Sequence, residues 1–249
     1  MKLHERIALW VTPPLVPLLL ALANTRGPLA IIPRKMMNFW QRHNLGLHGP
    51  ASMRDFEVRL SKIGPKDICL DLGANMGAFT AKLAATGAVV HAYEPDPFCF
   101  AALEKRFAGQ KNVHLHQQAV AHENGMTKLR RAKEFDSFPE LYSEASSIVF
   151  NNASMDDVNT IDVQMRSFVD VVRQLGQPVS IVKMDIEGAE FAILDQLLAD
   201  QARNIVLPIG AMFVETHERF FPDRLKMVCD LRRPDVQRAL PYPIDTYWP

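Results

Sequence analysis

Short apolar runs alternate along the chain with segments whose apolar residues recur every three to four positions, the pattern of strands and helices in a parallel α/β sheet. Asp67-Ile68-Cys69-Leu70 reads as a short strand buried on both faces, and Phe79 to Ala85 as the helix after it, closed at Gly87. Ala88 to Glu94 reads as a second apolar strand with an acid at its carboxyl end. Asp96 then suits an N-cap with Pro97 at the first helical position, and Cys99, Leu103 and Phe107 mark the inner face of a helix that Gly109 closes. Val113 to His116 alternates and predicts a third strand. Further on, Ile161 to Met165 reads as an edge strand and Phe168 to Leu175 as a helix ended by Gly176. Val179 to Asp185 and Met212 to His217 read as strands, separated by a helix with Leu194, Leu197 and Leu198 inward, and Pro222 to Leu240 reads as one closing helix. Upstream, Phe39 to His43 and Met53 to Ile63 read as two helices, the second presenting Phe56, Leu60 and Ile63 on one face.

These elements divide the chain into an N-terminal apolar and helical extension, residues 1–50, and one α/β domain, residues 51–249. Within the domain, Ala132 to Thr160 loses its periodicity and becomes rich in Ser, Asn, Glu and Asp. An irregular insertion of that length in a compact domain usually supplies a lid or binding loop, so substrate contacts are expected from it. In the extension, Ile7 to Ala23 is strongly apolar, follows Lys2 and Arg6, and ends in Ala21-Leu22-Ala23, like a signal-peptide cleavage site. Pro13, Pro14 and Pro17 interrupt the run, it is short for a membrane span, and Arg26, Arg34 and Lys35 follow it. An N-terminal cap and a peripheral contact with a membrane surface are therefore equally open.

Composition narrows the function classes. With 249 residues, 48% of them apolar, the chain can bury one large core. Lys plus Arg and Asp plus Glu are equal at 28 each, so the basic field that nucleic-acid binding needs is missing and no nucleic-acid partner is expected. The three cysteines, Cys69, Cys99 and Cys229, are far apart and sit in apolar or helical patterns. That suits reduced thiols and a cytoplasmic location, with or without membrane contact. Oligomeric state is not legible.

The candidate chemistry begins in the strand-to-helix turn Asp71-Leu72-Gly73-Ala74-Asn75-Met76-Gly77. Residues without a Cβ permit a sharp turn there, and the amides exposed at the helix start can hold a ligand's polar groups. A dinucleotide fingerprint would place glycines at 73, 75 and 78, but Asn75 and Ala78 stand at the last two, so close approach to a pyrophosphate is not provided for. The spacing suits a nucleoside cofactor without a pyrophosphate, S-adenosylmethionine above all. Glu94, twenty-one residues beyond Gly73, sits where an acid accepts hydrogen bonds from ribose hydroxyls. Gln118, past the third strand, could meet the adenine edge. His114 and His116 share a strand face, but no third ligand is evident, and ordinary strand histidines are the reading. Lys183 and Asp185 end an otherwise apolar strand; burying them is costly, so both are expected in the cleft rather than the core. Glu187 follows at the start of a helix, and Glu215 and His217 share one side of the next strand. Imidazole suits proton abstraction near neutral pH.

Taken together, Asp71-Leu-Gly-Ala-Asn-Met-Gly77, Glu94-Pro95, Gln118-Ala119-Val120, Lys183-Met-Asp-Ile-Glu-Gly-Ala-Glu190 and Glu215-Thr-His217 resemble the FkbM family of S-adenosylmethionine-dependent methyltransferases. The resemblance spans roughly Asp67 to His217. It implies a Rossmann-like class I methyltransferase sheet with helices on both faces, and methylation of a hydroxyl on a sugar, polyketide or other small acceptor. It further implies that Asp71, Gly73, Ala74, Asn75 and Gly77 line the methionine end, Glu94 the ribose, and Gln118 and Ala119 the adenine side, with Asp185, Glu187 and His217 on the reaction face. The C-terminus departs from the family pattern of a final strand pair: Pro241 to Pro249 leaves room for one short strand, such as Ile244 to Trp248. A sulfonium methyl is already activated, so the enzyme must hold an acceptor oxygen in line and take its proton. His217 is the expected general base, oriented by Glu215 or Glu187, with Asp185 positioning cofactor or acceptor. The alternative is that Asp185, Glu187, Glu215 and His217 hold a divalent ion. Two rival classes are a nicotinamide oxidoreductase, which the missing glycines disfavour, and a binding module without catalysis, which would not need Asp185 and His217.

Overall fold

A computed structural model describes residues 31–132, 135–137, 143, 146–149, 155–218 and 220–248. The apolar run Ile7–Ala23 lies outside the described residues. Among these, no helix is long and apolar enough to cross a membrane. The three cysteines are unbridged, with Cys69 and Cys99 buried.

Helix α1, Ile31–Leu60, is a single helix of 30 residues, where the sequence suggested two. Pro50 lies within it. Proline deletes one hydrogen bond and crowds the carbonyl four residues back, but Pro50 and Gly46 are both exposed, so water can serve the freed group. The boundary drawn at residue 50 thus falls inside a continuous element. The last turns of α1 meet the core: Phe56 is fully buried, with Phe79 and Phe213 edge-on at 5.9 and 5.2 Å and Trp248 at 4.8 Å.

From there the chain builds a six-stranded parallel sheet. In chain order the elements are β1 (Ile68–Leu72), α2 (Ala78–Ala84), β2 (Val89–Tyr93), α3 (Pro97–Arg106), β3 (Val113–His116), β4 (Ala119–Ala121), β5 (Gly125–Ala132), β6 (Met155–Ser167), α4 (Phe168–Gln174), β7 (Val179–Met184), α5 (Glu190–Ala202) and β8 (Met212–Val214). A 3₁₀ turn, α6 (Leu225–Leu231), α7 (Pro234–Ala239) and β9 (Ile244–Asp245) complete it. The sheet runs β3-β2-β1-β7-β8-β9. Every residue of β1 is buried, as a central parallel strand requires. One face carries Cys69, Val90, Ile181 and Phe213 under α1, α2 and Trp248, and Ala92 against Leu103 and Phe107 of α3. The other carries Leu70, Leu72, Val182 and Met184 under α4 and α5, through Phe168, Val172, Ile193 and Leu194. Helices therefore cover both faces, in a Rossmann-like arrangement.

Two expectations are corrected at the ends of this sheet. Pro222–Leu240 is not one helix: Pro234 cannot continue α6 and instead opens α7 at its first position. The last strand pairs through two residues only, Met212↔Ile244 and Phe213↔Asp245. Arg232 then holds the tail by donating to Thr246 O at 2.5 Å, and Trp248 is buried at 1% exposure.

A second sheet of three strands, β4-β6-β5, replaces part of the expected irregular insertion. Residues 161–165 lie not at an edge but at its centre, with β5 antiparallel on one side and β4 parallel on the other. The periodicity missed in the sequence belongs to residues 155–160 of the same strand, where Asp156, Asp157 and Asn159 make it polar. Asp162 and Gln164 face solvent, where they meet Lys128 and Gln118, while Val163 packs inward on Leu129 and Ala119. Arg131 of β5 ties this sheet to α3 by a bidentate pair with the buried Asp96, at 2.7 and 2.8 Å.

His91 of β2 stands in register with His114, and its Nδ1 lies 3.1 Å from His116 Nε2. The three rings lie within 19° of parallel, with Tyr93 against His116. Burial, aided by His116 and His114, pushes the His91 pKa down to about 4. The unfolded chain binds that proton near pH 6.5, so between those values it holds more protons than the folded one and stability falls as pH falls. We expect a melting temperature that declines from pH 7 to pH 4.5 with a slope reduced in His91→Phe; equal slopes in the two proteins would refute this source.

Candidate active site

At the carboxyl end of β1 the backbone turns through Gly73 with φ +76°. A Cβ there would lie 1.7 Å from the carbonyl oxygen of Asp185, so the loop touches the end of β7 backbone to backbone. The Gly73 and Ala74 amides both donate to Tyr93 O at 3.0 Å. Asn75 takes a left-handed φ of +47°, and its amide donates to Glu94 Oε2 at 2.8 Å. Gly77, φ +79°, precedes α2, where a Cβ would collide with Leu103 and Phe107. The four predicted turn residues, Gly73, Ala74, Asn75 and Gly77, are thus held together against the end of β2.

Asp71 and Lys183 sit directly beneath this turn. They are register partners across β1 and β7, exposed by 0% and 3%. Lys183 Nζ lies 3.3 Å from Asp71 Oδ1 and donates to Gly73 O at 2.7 Å, while Thr80 Oγ1 donates to Asp71 Oδ2 at 2.6 Å. Burial opposes the ammonium, but the charges of Asp71 and Asp185 outweigh it and raise the Lys183 pKa. Lys183 therefore does not open into the cleft as expected; pairing makes its burial tolerable. The Asp71 side chain likewise supports the loop from below instead of presenting surface to the cleft.

Glu94 is 7% exposed, and its two oxygens accept the amides of Asn75 and Asp96. Burial pushes its pKa up to about 7, against those two hydrogen bonds. The Glu94 amide donates to His116 O, so the end of β3 adjoins it. Gln118, two residues further, donates to Gln164 Oε1, and Ala119 packs in the core of the second sheet. Neither has a hydrogen bond given to the glycine turn.

The four expected reaction-face residues do converge. His217 Nε2 lies 3.2 Å from Glu187 Oε2, 3.9 Å from Asp185 Oδ1 and 3.9 Å from Glu215 Oε1. The imidazole is 1% exposed; the three carboxylates are partly exposed, at 22 to 31%. Besides the expected Glu187 at Nε2, the ring meets Glu190, fully buried, whose Oε1 lies 3.1 Å from His217 Nδ1. Burial works against a charged imidazole, but hydrogen bonds to Glu187 and Glu190 prevail and hold its pKa well above the ordinary value. Glu187 is raised too, by burial first. One ligand atom each from Asp185, Glu187 and His217 lies within 4.8 Å of the others, close enough to share a cation. Ser147, from the part of the insertion that is described, donates to Glu187 O at 2.5 Å and so reaches this face.

The sequence motif Lys183-Met-Asp-Ile-Glu-Gly-Ala-Glu190 includes Glu190, but the residue types alone assign it no role. Its distance of three residues from Glu187 was the available signal.

A family profile described as the Methyltransferase FkbM domain matches residues 71–233, more than half of the chain. A curated relative, the ribosomal RNA small subunit methyltransferase A of Moorella thermoacetica, is 44% identical over 58 residues. That segment is 23% of this chain and 20% of the relative, so the chain spans about a fifth of that protein's length.

The buried pair under the loop makes a direct prediction. Lys183→Met strands the Asp71 carboxylate and should cost about 3–5 kcal/mol in urea unfolding, whereas adding Asp71→Leu should recover much of it. A single variant as stable as the parent would show that the pair does not hold the loop.

Proposed function

We propose, for a chain that belongs to the FkbM methyltransferase family, that it transfers the methyl group of S-adenosylmethionine to a hydroxyl of a small molecule or sugar. The observation that supports this most is the meeting of His217 Nε2 with Asp185, Glu187 and Glu215 at the ends of β7 and β8, beside Gly73. Methyl transfer to oxygen needs a proton acceptor beside the cofactor loop and negative charge near a sulfonium, and this group of residues supplies both. In this reading Gly73, Ala74, Asn75 and Gly77 shape the methionine end over the Asp71–Lys183 support, and Glu94 takes the ribose hydroxyls. Gln118 and Ala119 border the adenine. His217 takes the acceptor's proton once Nε2 has given up its own, which the raised pKa defers to higher pH, and Asp185 positions the hydroxyl. A small acceptor is favoured over RNA because acidic and basic residues balance, leaving no field to gather phosphates.

A second reading keeps the reaction but has a divalent ion polarise the acceptor oxygen, favoured by the 4.8 Å grouping of Asp185, Glu187 and His217. Oxygen-rich donors with one imidazole suit magnesium or manganese. Loss of turnover in EDTA, restored by either ion, would select it.

Calorimetry with S-adenosylmethionine should show micromolar binding, on the order of −8 kcal/mol, that Glu94→Ala abolishes, with none for NAD. His217→Ala should bind the cofactor normally yet lose about 10²–10⁴-fold in turnover across hydroxylated acceptors. Turnover unchanged at saturating acceptor would remove His217 from the proton transfer.

A further inference from the structure

We infer that Glu190 is the positioning residue of the reaction face: it sets the tautomer and rotation of His217 and binds the two strand-end loops into one body. The inference rests on His217 as the group that handles the acceptor's proton. Glu190 opens α5, and its carboxylate is fully buried. Oε2 accepts the Gly188 amide at 2.7 Å, within the loop that follows β7. Oε1 accepts both the His217 amide at 3.0 Å and His217 Nδ1 at 3.1 Å, in the segment that follows β8. One side chain thus spans both connections that carry the reactive groups.

The consequence for the imidazole follows from donor chemistry. Both Glu190 oxygens already accept backbone amides, which can only donate, so Glu190 faces the ring as an acceptor; Nδ1 then carries the hydrogen, and Nε2 faces the cleft. That nitrogen points at every other acid of the site: Asp185 from the end of β7, Glu187 from the loop and Glu215 from beyond β8. Among the described residues, Lys183 Nζ lies 3.8 Å from Asp185 and is also hydrogen-bonded to Gly73 O and paired with Asp71. Without Glu190 the ring could turn over or adopt the other tautomer, and Nε2 would no longer be the proton-handling atom. The arrangement has the logic of a base held by a carboxylate behind it, which here comes from a helix start.

A purely structural Glu190 would cap the Gly188 amide and support the fold without deciding where the imidazole proton sits. NMR of the full chain labelled with ¹⁵N-histidine separates the two roles. Wild-type protein should show a solvent-protected Nδ1–H, assigned to His217 by its loss in His217→Gln. Glu190→Asp should retain it, and Glu190→Ala should lose it. Glu190→Gln, which can still accept but has no charge, guards against a failure of the alanine variant to fold, and its Nδ1–H should shift and lose protection. Affinity for S-adenosylmethionine should stay within about twofold in the glutamine variant, because the cofactor turn is held by other groups. An absent Nδ1–H in the wild type, or one unchanged in Glu190→Gln, would overturn the inference. Wild-type protein that shows the signal but binds no S-adenosylmethionine would overturn the methyltransferase reading of the pocket and leave the placement of the proton standing.

Discussion

One buried ion pair holds up the functional end of this molecule. Asp71 and Lys183 face each other across the two central strands, and water reaches neither. An ammonium in that position is tolerable only while the carboxylate remains, and the carboxylate in turn needs both the ammonium and the Thr80 hydroxyl. Lys183 makes a further hydrogen bond to Gly73 O, which converts the pairing of two strands into the height and tilt of the glycine turn. The turn passes that order outward, from Asn75 to Glu94 on one side and from Gly73 to Asp185 on the other. The glycine turn and the acidic cluster at the end of β7 therefore share a single foundation, set by the register of β1 against β7.

Where local chemistry and tertiary need agreed, the sequence was legible. The apolar run of β1, the Asp96–Pro97 start of α3 and the glycine turn each have a local cause, and each is found where that cause puts it. The convergence of Asp185, Glu187, Glu215 and His217 was legible for a related reason: charged side chains at the ends of apolar strands have few places to go. The misreadings share an opposite cause. The first half of β6, residues 155–160, carries Asp156, Asp157 and Asn159, so it resembles a polar loop until β5 is laid beside it. Lys183 was expected in the cleft because its partner Asp71 lies far away in sequence, and spacing alone cannot reveal such a contact. Residues 44–52, between the two helices expected from the sequence, belong to one helix whose exposed side accommodates Gly46 and Pro50.

The second sheet changes what the segment around residues 132–160 is for. Its β5 is fastened to α3 through Arg131 and Asp96, and Asp96 in turn donates its amide to Glu94. Its described loop reaches Glu187 through Ser147. The sheet and its described loop thus brace both Glu94 and Glu187, in place of a loose flap over a finished pocket.

The contact between Gly73 and the carbonyl of Asp185 has a further consequence, for how such a site can change over generations. Main chain lies against main chain there, with no side chain interposed, so the junction depends on one residue, the glycine at 73, and on no other side chain. Drift in the residues around it can reshape the surface at Glu187, Glu215 or the second sheet while the distance from the glycine turn to β7 stays fixed. Under the proposed function, a lineage that keeps this glycine can explore new acceptors without first having to rediscover how to hold the methyl donor.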